Sequence, residues 1–363
     1  MSRPANLPPI EEGVPLAGLT TLGVGGPARY LARCRSAAAL AALLGWARAR
    51  QLEVFVLGGG SNLLASDAGF DGVAVQLADE TVEFVEDGGC VLVRAAAGAD
   101  WDRLVARTVD AGLGGLECLS GIPGRVGAAP IQNVGAYGQE VAETLAGVEA
   151  VDLASGESRS LRASECGFGY RHSRFKAAWR GRYAVTRVDF RLAPAEHRTL
   201  SYPDLERRFP AGSRPGLREV REAVLDVRRG KSMVLDPGDP NRRSAGSFFV
   251  NPVVTAARAE ELRGAAGGSM PAFAAGDGLV KLSAAWLIEQ AGFRRGDRRG
   301  RAGLSSRHVL ALINRGGATA AELVALASEV RAGVERRFGI RLRPEPVLLG
   351  FPDDDPLAGG RPR

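Results

Sequence analysis

The run LEVFVLGGGSNLL, residues 52–64, drives a short β-branched and aromatic segment straight into three consecutive glycines. The segment before the glycines favours extended backbone. The glycines let main-chain N–H groups come close to an anion because no Cβ intervenes. By itself a glycine-rich turn after a strand is more often only a turn. The run also matches neither GxGxxG nor GxxxxGK[ST], which excludes a Rossmann fingerprint and a P-loop.

A second stretch, GIPGRVGAAPIQNVGAYG (121–138), holds five glycines and two prolines in eighteen residues. Flexible linkers of such glycine content lack apolar residues like Ile122, Val126, Ile131 and Val134, so an ordered, packed loop is expected. Two glycine-rich loops on one scaffold can clamp the two ends of a diphosphate. A dinucleotide cofactor is therefore one reading of the pair.

The scaffold around these loops reads as mixed helix and strand. Residues 36–51 predict a helix capped by Ser36 with Leu40, Leu43, Leu44 and Ala47 inward. Residues 100–115 predict another, capped by Asp100 and stopped near Gly112. Strands are expected at 52–57, where the run reads as buried, and at 73–77, 82–86, 90–98, 148–153 and 183–192. After about residue 215 amphipathic helices return, in LREVREAVLDVRRGK, TAARAEELRGAA and KLSAAWLIEQAG. Thr319 and Glu322 have capping-box spacing for a helix through Phe338. IRLRPEPVLLG (340–350) reads as a strand broken by prolines, and the tail beyond Phe351 as frayed. The class that fits is α+β.

The chain has 363 residues and four scattered cysteines without a CxxC pair, so neither a disulfide framework nor a metal site is expected. No run is apolar enough for a membrane span, and the N-terminal stretch with Glu11 and Glu12 does not read as a signal peptide; from the scattered cysteines a reducing, cytoplasmic location is expected. The net charge is +6. Its densest run, RRGDRRGR (294–301), reads either as a solvated loop or as a field for anionic ligands, and no nucleic-acid module accompanies it. Only three lysines (Lys176, Lys231, Lys281) stand among the 47 basic residues; either drift left them or they flag places where a planar guanidinium does not replace a compact ammonium.

LGGGSNLL and GIPGRVGAAPIQNVGAYG resemble the flavin-binding loops of UDP-N-acetylenolpyruvoylglucosamine reductases. CGFGYRHSRFK (166–176), SAGSFFVNP (244–252) and RPEPVLLG resemble that family's remaining signatures, in the family's order, from about Thr20 to Phe351. The resemblance implies an FAD enzyme of the vanillyl-alcohol-oxidase fold type, of the longer, tyrosine-loop form. It implies FAD-binding subdomains at 1–75 (joined by 344–356) and 76–215, a substrate-binding domain at 216–343, and a tail from 357. NADPH would reduce the flavin and leave. Hydride would then pass from flavin N5 to the enolpyruvyl ether of UDP-N-acetylglucosamine, giving UDP-N-acetylmuramate for peptidoglycan synthesis. A monomer is expected.

The resemblance also assigns residues. Hydride addition to an enolpyruvyl group leaves a strongly basic carbon beside the carboxylate, which even a serine can protonate if held within reach. Ser247 is the implied acid, with Phe248 and Phe249 excluding water. Alone, GSFF would read as a helix cap or a turn. Arg171 and Glu345 match the other two catalytic positions, the guanidinium pairing with the substrate carboxylate. Cofactor contacts are implied at Leu57, Gly58, Gly59, Gly60, Ser61, Asn62 and Leu63 in the first loop. In the second they are implied at Ile122, Pro123, Gly124, Gly127, Ala128, Asn133, Gly135, Ala136 and Tyr137. Substrate contacts are implied at Tyr170, Tyr202, Lys231, Asn251 and Gln290, each of which could instead be structural.

Three departures stand out. His172 replaces a common Asp, so Arg171 needs another partner. Val250 occupies a place often held by Lys. Ala128 and Ala129 leave the second loop few hydroxyl donors. Two readings compete: a basic binding protein without catalysis and, nearer, a flavoprotein oxidase of the same fold acting on an alcohol or hydroxy acid. Many of those tether FAD through a histidine in the first loop, where this chain has Ser61 and Asn62, so a non-covalent flavin is expected.

Overall fold

Local signals act where they stand in the chain. Ser36 accepts from the amide of Ala39 and starts the helix Ala37–Arg48, and Asp100 accepts from Arg103 to start Trp101–Asp110. Thr319 and Glu322 close the capping box of Ala320–Phe338, which ends on Gly339 at φ 63°. Each cap satisfies amides that the first helical turn leaves without partners and contributes about 0.5–2 kcal/mol. The structure is a computed structural model, and it describes residues 6–197, 200, 202–210, 212–265, 270–352 and 356–358. Of the stretch expected to be a frayed tail, residues 353–355 and 359–363 lie outside the described residues.

The chain divides into two compact units. One takes the chain through Val14, then Ala28–Gly60 and Asp71–Leu235; the other takes Pro15–Pro27, Ser61–Phe70 and the chain from Asp236 on. No helix among the described residues is long and apolar enough to cross a membrane.

The first unit holds two sheets. In one, the strand order is Ile10–Pro15, Pro27–Cys34, Phe70–Leu77, Glu53–Val56, with the last two parallel. Leu40, Leu43, Leu44 and Ala47 pack with Val73 and Val75 of this sheet. Glu53–Val56 is an edge strand, which is why its side chains are half-buried or exposed and not fully buried as the run LEVFVL predicts. The second sheet runs Ser158–Arg162, Leu145–Asp152, Tyr183–Pro194, Cys90–Ala96, Val82–Asp87, antiparallel throughout. Val91, Val93 and Ala95 alternate inward, as the period of two requires, and share a core with Trp101, Leu104, Val105 and Phe190. One sheet with a parallel pair, one antiparallel sheet and the helices that pack with them make this an α+β unit.

The second unit is built on the helix Ala320–Phe338, whose Leu323, Leu326, Val330 and Val334 are buried with Phe248, Phe249, Leu287 and Leu312. Asp67 adds a further cap, its carboxylate accepting from Ala320 at 2.7 Å and Ala321 at 2.9 Å. The strand Val347–Leu349 lies parallel to Leu63–Ala65, which draws the residues just after the three glycines into this unit.

One expected helix is shorter than the periodicity predicts. In KLSAAWLIEQAG, Lys281 and Leu282 complete the strand Leu279–Leu282 by pairing with Val253–Thr255 and Ala272–Ala274. The helix begins only at Ala284, with Ser283 accepting from Trp286. A serine that can cap competes with its own helical placement, and two available strand partners decide the outcome.

Candidate active site

In the first unit the two glycine-rich loops meet. A Cβ built on Gly59 would lie 3.0 Å from Gly124 Cα, and one on Gly58 would lie 3.6 Å from Ala128 Cβ. Main chain approaches main chain here because glycine leaves the space. Leu57 is buried and its amide donates to Val75, so the strand end that feeds the glycines is fixed.

The 121–138 loop is ordered, as its apolar residues predict. It is braced at both ends. Trp101 Nε1 donates to Leu119 at 3.0 Å, and the buried Gln139 accepts from the amide of Cys118 at 2.9 Å while donating to the buried Glu117 at 3.3 Å. Gly127 packs so tightly that a Cβ would come within 2.6 Å of Ala97 Cβ. The amides of Val126, Gly127, Ala128 and Ala129 all donate to backbone oxygens. Main-chain donors for a ligand are therefore to be sought in the rest of the loop. Asn133, left-handed at φ 47°, has its side chain engaged with Glu140, Gly169 and Ala142, which makes it a brace of the loop. Gly135–Ala136 and Gln139–Glu140 form a miniature hairpin. Its turn residues Tyr137 and Gly138 both have positive φ, 50° and 80°, the signature of a type I′ turn.

Arg171 lies in a tight turn closed by reciprocal hydrogen bonds between Gly169 and His172. Its own φ is 51°, a left-handed conformation uncommon for a bulky residue and typical of constrained functional positions. The partner that His172 does not supply is the second loop itself, since Arg171 Nη2 donates to the carbonyl of Gly135 at 2.6 Å. Tyr170 lies beneath this guanidinium, its ring 5.8 Å from the Arg171 Cζ.

Tyr202 meets Tyr137 edge to face with ring centroids 5.4 Å apart. Lys231, at the end of the helix Leu217–Gly230, donates to Asp204 at 2.6 Å. This ties the lysine to the segment that carries Tyr202. Burial pushes the Tyr137 hydroxyl up to about 12, and burial with the nearby Asp204 and Tyr170 raises that of Tyr202. Both phenols are therefore neutral donors at ordinary pH.

Sequence reasoning missed Arg228. It projects from the same helix, donates to the carbonyl of Met233 at 2.6 Å and hydrogen-bonds Tyr137. Its Nε is buried with no partner, and burial pulls its pKa below the usual guanidinium value. An arginine in a chain so rich in arginine carries no signal of its own. The glycine cradle and a buried guanidinium with an unpartnered N–H fit an anionic, electron-rich cofactor such as a flavin dinucleotide.

In the second unit Ser247 precedes two buried phenylalanines whose rings meet at 5.2 Å. No helix starts at Ser247, which removes the helix-cap reading; the next element is the strand Val253–Thr255. Phe249 pairs with Pro344, the amide of Glu345 donates to Phe248 at 2.8 Å, and that of Val250 donates to Arg343 at 3.0 Å. Ser247 and Glu345 are thus near neighbours on paired segments. Glu345 is half-buried and its carbonyl accepts from Asn62 Nδ2 at 3.3 Å. Asn62 also accepts from Val347, beside Leu63 in the parallel pair. Asn251 Oδ1 accepts from Ala284 at 2.9 Å, so Asn251 and Gln290 stand at the two ends of one helix. In the 294–301 run, Arg299 is bidentate to Glu329 and Arg301 donates to the carbonyl of Gly317, which gives these two arginines structural work.

Comparisons with known proteins meet this geometry. Residues 28–162 match the model of an FAD binding domain, and residues 239–349 match that of the UDP-N-acetylenolpyruvoylglucosamine reductase C-terminal domain. The chain is 50% identical over 350 residues to the UDP-N-acetylenolpyruvoylglucosamine reductase of Thermobifida fusca, covering 93% of this chain and 98% of that one. It is 53% identical over 352 residues to the reductase of Nocardia farcinica, covering 94% and 90%. Among solved structures, the UDP-N-acetylenolpyruvylglucosamine reductase of Thermus caldophilus matches with a TM-score of 0.66 at 28% identity, covering 94% of this chain and all of that one. The resemblance drawn from the five motifs, and the α+β FAD-binding fold it implies, are borne out. The chain belongs to the UDP-N-acetylenolpyruvoylglucosamine reductase family.

Proposed function

We propose that this chain reduces the enolpyruvyl ether of UDP-N-acetylglucosamine to UDP-N-acetylmuramate, a step of peptidoglycan synthesis, with NADPH as reductant and FAD held without a covalent link. FAD, when bound, supplies the hydride chemistry. The glycine-rich loops hold it by close main-chain approach, through residues 57–63 of the first and 122–124, 127, 128, 133 and 135–137 of the second. The absence of a histidine from the run 57–63 supports the non-covalent link.

The observation that carries the reading is the placement of Ser247 beside Glu345 on paired backbone, in a chain half identical to reductases of this name. Ser247 delivers a proton to the carbon next to the substrate carboxylate, with its position held by the buried Phe248 and Phe249. Glu345 assists that delivery. The Arg171 guanidinium pairs with the carboxylate and stabilises charge that develops beside it. Tyr170, Tyr202, Lys231, Asn251 and Gln290 contact the sugar nucleotide. In this reading the FAD-binding subdomains of vanillyl-alcohol-oxidase type occupy 1–75 with 344–356, and 76–215; residues 216–343 form the substrate domain. The enzyme works as a cytoplasmic monomer without nucleic acid or membrane.

The test is anaerobic reduction of the bound flavin by NADPH followed by addition of the enolpyruvyl sugar nucleotide. Rapid reoxidation with formation of the muramate is the expected result. A flavin that stays reduced until oxygen is admitted would instead support an oxidase.

A further inference from the structure

Asp102 is the second residue of the helix Trp101–Asp110, and its carboxylate is engaged from two sides. Oδ1 accepts from the amide of Gly121 at 2.6 Å. The same oxygen accepts from Arg221 Nη1 at 2.6 Å, and Oδ2 accepts from Nη2 at 3.0 Å. The Arg221 side chain is 15% exposed and that of Asp102 35%, so this bidentate pair is partly shielded from solvent.

Gly121 is the first residue of the second glycine-rich loop. It is left-handed at φ 70°, and a Cβ there would lie 2.8 Å from Leu225 and 3.4 Å from Arg228 Nε. Arg221, Leu225 and Arg228 lie on one face of the helix Leu217–Gly230, three and four residues apart. One carboxylate therefore holds both the first amide of the loop and the helix on which that amide rests. An Asp–Arg pair meant only to join two helices has no need of the loop amide.

We propose that Asp102 is a positioning residue for the cofactor: it fixes Gly121, and with it the path of the 121–138 loop, before FAD binds. A loop already held in its bound conformation loses less freedom when the ligand arrives, so affinity is gained without any contact between Asp102 and the ligand. This rests on the reading that the 121–138 loop holds FAD.

Two substitutions separate this role from helix pairing. Arg221→Gln breaks the ion pair and leaves the carboxylate on Gly121; Asp102→Ala removes both. FAD affinity is measured by flavin fluorescence on apoprotein, with the apoprotein melting temperature beside it. Both variants are expected to melt lower than wild type. Arg221→Gln is expected to keep its FAD Kd within about threefold, while Asp102→Ala raises it about tenfold to a hundredfold, the worth of a hydrogen bond to a charged acceptor. Equal losses in the two variants, or an unchanged Kd in Asp102→Ala, overturn the proposal. Should Asp102→Ala fail to fold, Asp102→Asn replaces it: without the charge it holds Gly121 less firmly and must raise Kd more than Arg221→Gln does. Hydrogen exchange of wild-type apoprotein with and without FAD checks the underlying reading separately. Absence of protection in 121–138 defeats that reading, whereas protection combined with a normal Kd in Asp102→Ala defeats only the role of Asp102.

Discussion

The amide of Glu345 donates to the carbonyl of Phe248 at 2.8 Å, which holds a carboxylate-bearing residue next to the segment of Ser247. The Phe248 and Phe249 rings are buried and anchor that segment, so the serine is placed by its neighbours. Ser247→Ala is therefore expected to fold normally and to let NADPH bleach the flavin at the wild-type rate. Reoxidation by the enolpyruvyl nucleotide should slow about 10²–10⁴-fold, the usual contribution of a positioned proton donor. Anaerobic stopped-flow absorbance measures both steps, and an unaltered second step would take Ser247 out of the acid role.

Arg171 combines a left-handed backbone with a 2.6 Å hydrogen bond to Gly135. A lysine in its place keeps the charge and loses the planar fork that can engage Gly135 and a carboxylate together. Arg171→Lys should lower kcat/KM for the sugar nucleotide by about 10²–10³-fold with flavin retained. Steady-state kinetics beside the flavin absorption spectrum decide the matter.

Gly59 and Gly124 approach so closely that a single methyl group disturbs them. The new Cβ of Gly59→Ala would lie 3.0 Å from Gly124 Cα, against main chain that yields only by shifting the loop. The expected result is a rise in FAD Kd of about tenfold, the equivalent of 1.4 kcal/mol, with the circular dichroism spectrum intact. Fluorescence titration of apoprotein with FAD is the measurement; wild-type affinity would show that the close approach does not matter to the cofactor.

The Tyr137 hydroxyl is pushed up to about 12 by burial. An unfolded tyrosine ionises near pH 10, so above that pH the unfolded chain gives up a proton that the folded one retains. The stability contributed is fully present below about pH 10 and is lost as pH rises toward 12. Tyr137→Phe should flatten the decline of denaturant stability across that window relative to wild type. Parallel urea titrations at pH 9 to 11.5 test this, and an unchanged slope would rule it out.

Much of the local structure was legible because its causes are local. Ser36, Asp100 and the Thr319–Glu322 box cap helices through bonds to residues three positions away, so spacing alone announces them. Alternation in Cys90–Ala96 and the apolar face of Ala320–Phe338 are likewise written in a few consecutive turns or pleats. Lys281 shows the limit: helical periodicity covers it, yet Val253 lies opposite it in a sheet, and pairing prevailed.

The five motifs and their order, with the family and cofactor that follow from them, were determined by the sequence alone, because glycine spacing and the residues between need no partner to be read. What tertiary structure decided is who meets whom. Arg171 reaches Gly135, Lys231 reaches Asp204, Asp102 reaches Gly121 and Arg221, and Asn251 holds the start of a helix at Ala284. Arg228 became noticeable only when folding buried its Nε. These pairings depend on desolvation and on the meeting of segments distant in the chain, and neither leaves a periodic mark in the order of residues.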